Sequence, residues 1–180
     1  MQVKAAEGTR VTARNVVVNL LYYTATVITA PWLMLKFEDR LGLSRLSIPV
    51  LRVSAVAVAI VAAGLQLWCI AVFQRIGKGT PSPLWPPQHL VREGPYRWLR
   101  NPMNLGELSL FVAMAMWFGS PALIVYALGA WVAFSAFVVY HEEPRLLRRF
   151  DRDYEQYRRG VRRWLPRTRS HESRRTSAAA

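Results

Sequence analysis

Three long stretches of the sequence carry no formal charge, and they limit what the chain can fold into. They are residues 15–35, 53–74 and 108–141, with the titratable His141 as the last residue of the third. Because a helix needs about 20 apolar residues to cross the hydrocarbon core of a bilayer, each of the first two stretches predicts one membrane span. The first stretch lacks a convincing cleavage site, so we expect it to remain in the mature protein. The only cysteine, Cys69, falls inside the second stretch, and we assign it to packing.

The third stretch is too long for one span. A single helix over its 34 residues would be about 51 Å long, whereas the hydrocarbon core is about 30 Å thick. Gly119-Ser120-Pro121 is the strong turn signal within the stretch, and it predicts a tight helical hairpin. We therefore predict an all-α bundle in a single membrane domain over residues 1–166. Its four predicted spans are residues 16–35, 53–74, 101–118 and 122–141.

The net charge of +13 is distributed as the positive-inside rule expects of a membrane protein. With the N-terminus in the cytoplasm, four spans leave only Lys36, Arg40, Arg45 and Arg52 outside, and 20 of the 24 Lys and Arg residues lie on the cytoplasmic side. This distribution argues against nucleic acid as the partner of the basic residues. We expect a multi-pass protein of the cell membrane with both termini in the cytoplasm.

Three segments outside the spans differ in composition. The loop of residues 75–100 is rich in Pro and Gly, which forbids a long helix, but its aromatic residues are atypical of disorder, so we expect a functional loop. Residues 145–165 repeat apolar positions at helical spacing between arginines. This pattern predicts an interfacial helix whose arginines, Arg163 among them, face anionic lipid headgroups or water. We expect the polar, basic tail of residues 167–180 to be disordered.

Acidic side chains are rare in or beside the spans. On an antiparallel hairpin, Glu107, Glu142 and Glu143 come to the cytoplasmic end, where they either line a polar site or pair with nearby arginines. His141 and Glu142 are adjacent and so point about 100° apart on a helix. That geometry argues against a metal site formed with His89.

An ordered set of short motifs flanks the predicted hairpin. Gly94-Pro95-Tyr96-Arg97-Trp98-Leu99-Arg100-Asn101-Pro102-Met103 precedes it, Glu142-Glu143-Pro144 closes it, and Phe150, Tyr154, Tyr157 and Trp164-Leu165-Pro166 follow. This combination resembles the isoprenylcysteine carboxyl methyltransferase and phospholipid methyltransferase superfamily of integral membrane enzymes. The resemblance extends over about residues 77–166.

The resemblance implies a pocket for S-adenosyl-L-methionine that opens to the cytoplasm. The implied cofactor contacts are Gln88, His89, Leu90, Val91, Tyr96, Asn101, Pro102, Met103, Asn104 and Glu142. Secondary candidates are Gly94, Arg97, Arg100, Glu107 and Glu143. These residue types suit the cofactor, which needs an apolar wall, a carboxylate acceptor and a few donors. No catalytic residue is assigned, because methyl transfer to an acceptor is an in-line displacement that relies on positioning and desolvation.

Two positions depart from the family pattern. The family usually has His-Pro-x-Tyr where this chain has Asn101-Pro102-Met103-Asn104, so hydrogen-bonding capacity is kept but the ring and the phenol are lost. The carboxyl methyltransferases also have an arginine one turn before the paired acids, where this chain has Val138. The second departure argues against free prenylcysteine as the substrate.

Three functions are compatible with these features. The first is an S-adenosylmethionine-dependent methyltransferase whose acceptor, a lipophilic small molecule or lipid, enters laterally from the bilayer. The second is a membrane reductase with a nicotinamide cofactor, because sterol reductases resemble the same C-terminal half. The third is a non-catalytic membrane scaffold or a degenerate relative, which Asn101 and Asn104 favour.

The charge distribution predicts that the C-terminal tail lies in the cytoplasm. In a Cys69→Ala background, a cysteine at position 175 should react with a membrane-impermeant maleimide only after cells are permeabilised, because the bilayer separates it from the reagent. A cysteine at position 44, in the predicted external loop, is the control and should react in intact cells. Labelling of position 175 in intact cells would show that the predicted topology is wrong.

Overall fold

The structure, a computed structural model, describes residues 13–46, 48–77 and 89–166. Every regular element in these ranges is helical, which confirms the all-α class. The one β-type contact among them is an isolated parallel bridge between Leu99 and Arg162. The predicted contact residue Gln88 and the tail of residues 167–180 lie outside the described residues.

The N-terminal half of the described chain forms two long helical segments. The first consists of α1 (Ala13–Tyr23), a π-helical turn (Thr24–Thr29) and α2 (Ala30–Arg40). The second consists of α3 (Pro49–Val72) and a π-helical turn over Phe73–Gly77.

The C-terminal half begins with a short 3-10 turn over Gly94–Arg97, followed by α4 (Pro102–Phe118). Gly119 and Ser120 separate α4 from α5 (Pro121–Phe137), and the Ser120 side chain accepts a hydrogen bond of 3.2 Å from the backbone N–H of Leu123, which caps α5. A π-helical turn (Val138–Glu142) joins α5 to α6 (Glu143–Gly160) without a break.

The continuity of α5 and α6 differs from the predicted separate interfacial helix of residues 145–165. Pro144 lacks an N–H and, in a regular α-helix, would crowd the carbonyl group four residues earlier. The wider π-helical turn just before Pro144 relieves this crowding, so the helix continues. The helix kinks at Asp151, whose φ is 41°, and it ends at Gly160. Residues 161–165 therefore lie outside the helix and are free to contact other segments.

Three helices in the described ranges are long and apolar enough to cross a membrane, namely Val17–Arg40, Pro49–Gly77 and Pro121–Gly160. The remaining predicted span, residues 101–118, corresponds to α4, which has 17 residues and is therefore about 25 Å long, slightly less than the hydrocarbon core. The arrangement of four spans remains a prediction.

Helix α4 is the centre of the bundle, because it packs against α3 on one side and α5 on the other, while α5 also contacts α2. Small side chains allow α3 and α4 to approach closely. A Cβ atom on Gly106 of α4 would lie 3.0 Å from Cγ of Gln66 and 3.4 Å from the carbonyl oxygen of Ala62. Such small residues at helix contacts are typical of membrane bundles.

The distribution of polarity is opposite to that of a soluble bundle. Large apolar side chains point outward, such as Val53 and Val61 of α3, which are 74% and 72% exposed. The carboxylates of Glu38, Glu107 and Glu143 are instead buried. An apolar exterior over this length needs a hydrocarbon surrounding, so the surface of the bundle is suited to a lipid bilayer.

One end of the bundle, here called the turn end, joins the α2–α3 connection to the α4–α5 turn. The backbone N–H of Leu46 donates to the carbonyl oxygen of Gly119 over 2.9 Å. Beside this contact the hydroxyl group of Ser120 donates to the buried carboxylate of Glu38, which also lies 3.7 Å from Nε of Arg45. The opposite end, formed by residues 89–101 and 142–165 and here called the loop end, contains most of the predicted site residues.

Gly119 is the position at the turn end that tolerates a side chain least. Its φ is 60°, and a Cβ atom there would lie 1.8 Å from the carbonyl oxygen of Leu46. Gly119→Ala should therefore lower the unfolding free energy by about 1–3 kcal/mol or more, from backbone strain and steric overlap. The measurement is thermal or chemical unfolding of the detergent-solubilised protein.

Gly129→Ala is the matched control, because a Cβ atom at Gly129 meets no heavy atom within 4 Å and a helical alanine is more stable than glycine. That variant should be as stable as the wild type or slightly more stable. Equal stability of Gly119→Ala and Gly129→Ala would contradict the packing described at the turn end.

Candidate cofactor site

A cluster of ion pairs around Glu143 organises the loop end. Its carboxylate accepts two hydrogen bonds from Arg163, from Nε at 2.6 Å and from Nη2 at 2.9 Å. Nη1 of Arg100 lies 3.0 Å from Oε1 of Glu143, and the two side chains are only 11% and 9% exposed. Since two guanidinium groups satisfy this buried carboxylate, Glu143 is fully engaged within the protein.

Three further contacts join the loop to the C-terminal segment. The backbone N–H of Arg100 donates to the carbonyl oxygen of Arg162 over 2.9 Å. The phenol of Tyr157 donates to the carbonyl oxygen of Tyr96 over 2.6 Å. Arg92 binds both the backbone oxygen and the carboxylate of Asp153. The kink at Asp151 lies just before these residues of α6.

An apolar cluster between the loop and α3 contains three of the predicted cofactor contacts. Val91 and Tyr96 are buried in it with Cys69 and Val72, and Met103 packs against it. Burial raises the pKa of the Tyr96 phenol, so that the hydroxyl group stays protonated at neutral pH and remains a hydrogen-bond donor.

Gly94 fixes how closely the loop approaches α3. Its φ is 58°, and a Cβ atom there would lie 2.8 Å from Cγ2 of Val72 and 3.2 Å from Nε1 of Trp68. Glycine is thus required at this position by both backbone conformation and space. Its role in the structure is to let the loop pack closely against α3.

Glu142 differs from its neighbour Glu143 in its surroundings. Its carboxylate is close enough to Tyr96 for the two groups to interact electrostatically. Within the described ranges, no donor or ion-pair partner contacts the Glu142 carboxylate, which is partly buried. A carboxylate placed in this way is available to accept hydrogen bonds from a ligand.

Asn101, which directly precedes α4 at the loop end, provides a side-chain amide. Its side chain is 8% exposed, and its Nδ2 atom has no hydrogen-bond partner among the residues that the structure describes. The same is true of Nε of Arg100. Pro102 is buried beside Asn101, whereas Asn104 is partly buried. These buried donors are available to a polar ligand group or an ordered water.

The remaining predicted residues lie apart from this arrangement. His89 is exposed and Leu90 partly buried, and the exposed Arg97 lies over the ring of its neighbour Trp98. Glu107 accepts hydrogen bonds from the hydroxyl groups of Tyr22 and Thr26, at 3.3 and 3.4 Å. Glu107 therefore binds the N-terminal helix, and these contacts separate its role from those of Glu142 and Glu143.

Sequence reasoning did not identify Arg163 and Tyr157 as residues of the loop end. Arg163 was expected to face lipid headgroups or water, whereas its guanidinium group binds Glu143 and its side chain stays 40% exposed. A helical pattern extended to residue 165 places Arg163 on an outer face, whereas the helix ends at Gly160 and the following residues turn back. In the described part of the chain, no three His, Cys, Asp or Glu side chains are grouped as metal ligands.

Comparisons with known proteins give both a family and a related fold. The model of the family described as phospholipid methyltransferase matches residues 50–153, more than half of the chain. No curated protein sequence is similar enough to count as a match.

Among solved structures, the fold is similar to that of the eukaryotic intramembrane Ras methyltransferase, isoprenylcysteine carboxyl methyltransferase. The TM-score is 0.58 and the sequence identity 21%, over 89% of this chain and 58% of that chain. This chain thus spans little more than half the length of that methyltransferase, and the likeness concerns the fold.

The buried Glu143 cluster predicts a large difference between two acidic residues of α6. Glu143→Gln leaves the guanidinium of Arg100 buried without a counter-charge and should lower the unfolding free energy by about 3 kcal/mol. This value is in the lower part of the range for a broken buried ion pair, because the other partner, Arg163, is more exposed. Glu155→Gln removes an exposed pair with Arg159 and should change stability little. Chemical unfolding in detergent measures both, and equal losses would contradict the role assigned to Glu143.

Proposed function

The chain belongs to the phospholipid methyltransferase family, and from that premise we propose that it transfers a methyl group from S-adenosyl-L-methionine to a lipophilic small molecule or lipid. In this proposal the reaction takes place at the cytoplasmic side of a bundle of four spans. One observation supports it most strongly: the Glu142 carboxylate, next to the fully engaged Glu143 at the loop end, has no donor among the described residues.

The groups at the loop end fit the chemistry of the cofactor. S-adenosyl-L-methionine supplies, when bound, a methyl carbon that its sulfonium group already activates for displacement. Glu142 would accept hydrogen bonds from the ribose hydroxyls or the ammonium group, and the unpartnered Nδ2 of Asn101 would donate to the cofactor carboxylate. The asparagine in place of the family histidine thus keeps a donor at this position.

The apolar cluster supports the same proposal. Val91, Tyr96 and Met103, packed with Cys69 and Val72, form a wall that would exclude water from one side of the cofactor. Exclusion of water strengthens the interactions of a cation with the fixed dipoles around it and favours transfer of the methyl group to an acceptor held in line. His89, Leu90 and Asn104 are secondary parts of the proposed site, because no described contact ties them to it, and Gln88 lies outside the described residues.

The acceptor would approach from the bilayer. The helices around α4 present apolar side chains outward, so a lipophilic molecule can reach the bundle without leaving the hydrocarbon. Val138, where the carboxyl methyltransferases have an arginine, is 1% exposed and packed in the bundle. This position offers no cation for a substrate carboxylate, and it favours acceptors other than a free prenylcysteine.

Ligand binding distinguishes the proposal from its alternatives. Calorimetry of the purified full chain in detergent should detect binding of S-adenosyl-L-methionine and of its demethylated product, and none of NADPH. Binding of NADPH alone would support a membrane reductase. A folded protein that binds none of the three would support a non-catalytic scaffold.

The role of Glu142 predicts the effect of a single substitution. Glu142→Gln keeps the shape of the side chain and removes its charge, so the affinity for S-adenosyl-L-methionine should fall at least about tenfold, the loss typical of one charge-assisted hydrogen bond. The protein should remain folded, because Glu142 has no ion-pair partner among the described residues. Glu155→Gln, the same change on the exposed side of α6, is the control and should bind as the wild type does. Unchanged affinity in Glu142→Gln would exclude this residue from the cofactor site.

A further inference from the structure

A cavity of about 540 Å³ opens at the loop end between the last turn of α6 and the segment that follows it. Its lining is strongly basic and contains five arginines and four other residues. The arginines are Arg100, Arg158, Arg159, Arg162 and Arg163, and the others are Gly160, Val161, Trp164 and Leu165. This arginine pocket shares only Arg100 with the residues considered for the cofactor.

The arginine pocket has more positive charge than the protein neutralises. Arg100 and Arg163 bind the single carboxylate of Glu143, and Arg159 pairs with Glu155. Arg158 and Arg162 are exposed and form no ion pair within the described ranges. Guanidinium groups that converge on one cavity in this way favour an anion, and their planar donor geometry suits phosphate oxygens.

The pocket lining also has an apolar part, formed by Val161, Trp164 and Leu165. Trp164 packs against the cluster of Leu108, Phe111 and Ala127, which belongs to α4 and α5 inside the bundle. Leu165 beside it is 68% exposed. A ligand of this pocket can therefore contact both guanidinium groups and the apolar side chains of Trp164 and Leu165.

We propose that the arginine pocket binds the phosphate group of an anionic membrane lipid, whose acyl chains lie along Trp164 and Leu165. This is a binding site additional to the cofactor site, and it does not depend on the proposed methyl transfer. An amphiphile satisfies both halves of the lining, whereas a free phosphate ion uses only the arginines. Binding there would hold the C-terminal segment, which also carries Arg163, against the membrane.

Native mass spectrometry of the full chain in detergent tests the proposal with three probes: phosphatidylglycerol, phosphatidylcholine with the same acyl chains, and inorganic phosphate. Phosphatidylglycerol should bind at least about tenfold more tightly than phosphatidylcholine. Arg158→Gln with Arg162→Gln should weaken phosphatidylglycerol binding by about tenfold or more, because two charge-assisted contacts are lost.

Arg148→Gln with Arg152→Gln is the matched control. It removes the same charge from exposed positions of α6 outside the pocket lining, and it should change the affinity by less than about twofold. Equal weakening by the two double substitutions would show diffuse attraction to a basic surface and overturn the proposal. Displacement of the lipid by inorganic phosphate at equal concentration would overturn it as well, since the acyl chains would then contribute nothing.

Both double variants replace exposed side chains, and a thermal unfolding measurement on each confirms that the fold is kept. Should Arg158→Gln with Arg162→Gln fail to fold, Arg158→Lys with Arg162→Lys provides the same test. Lysine keeps the charge but loses the planar donor geometry, so the expected loss of affinity is smaller, about threefold. No loss in that variant would overturn the proposed phosphate contacts.

Discussion

The carboxylate of Glu143 lies between the guanidinium groups of Arg100 and Arg163, and these ion pairs join three segments that are far apart in the sequence. Arg100 ends the loop before α4, Glu143 begins α6, and Arg163 belongs to the segment after α6. Because a buried charge without a partner is strongly destabilising, separating any one of the three segments from the others would lower the stability of the protein. The hydrogen bond from the phenol of Tyr157 to the carbonyl oxygen of Tyr96 joins the loop to α6 as well.

The same ion pairs give the adjacent residues Glu142 and Glu143 different roles. Adjacent helical residues point about 100° apart, so only one of the pair can face the two arginines. Glu143 takes that position and is satisfied by the protein, while the Glu142 carboxylate lacks a donor among the described residues. This arrangement suits the proposed cofactor site, since Glu143 fixes the backbone that carries Glu142. Asn101 follows Arg100 directly, so the same ion pair also positions its unpartnered amide.

The bundle that carries this site is built for a bilayer. Its apolar side chains point outward, and its buried carboxylates are paired by helices from other parts of the chain, as Glu107 is by Tyr22 and Thr26 and Glu38 by Ser120. In hydrocarbon such groups must find their partners within the protein, so these contacts also specify how the helices pair. The turn end and the loop end are thereby fixed separately, one by Glu38 and one by Glu143. Membership of the phospholipid methyltransferase family and the fold of a membrane methyltransferase agree with this architecture.

Local sequence is enough to predict the helices, the turn at Gly119 and Ser120, and the motifs that identify the family. The length of an apolar stretch and the presence of turn residues are local properties of the sequence. In a bilayer the backbone must also form its hydrogen bonds within each helix, so these features can be predicted from residues close together in the chain. Val91, Tyr96 and Met103 were among the cofactor contacts that the family resemblance implied, but their packing with Cys69 was not predicted. Long-range packing sets which acid binds the arginines, the pairing of Glu107 with the N-terminal helix, the continuation of α5 through Pro144, and the contact of Arg163 with Glu143. Each of these depends on distances between residues remote in sequence, where helix packing and the energy of buried charges outweigh the local pattern.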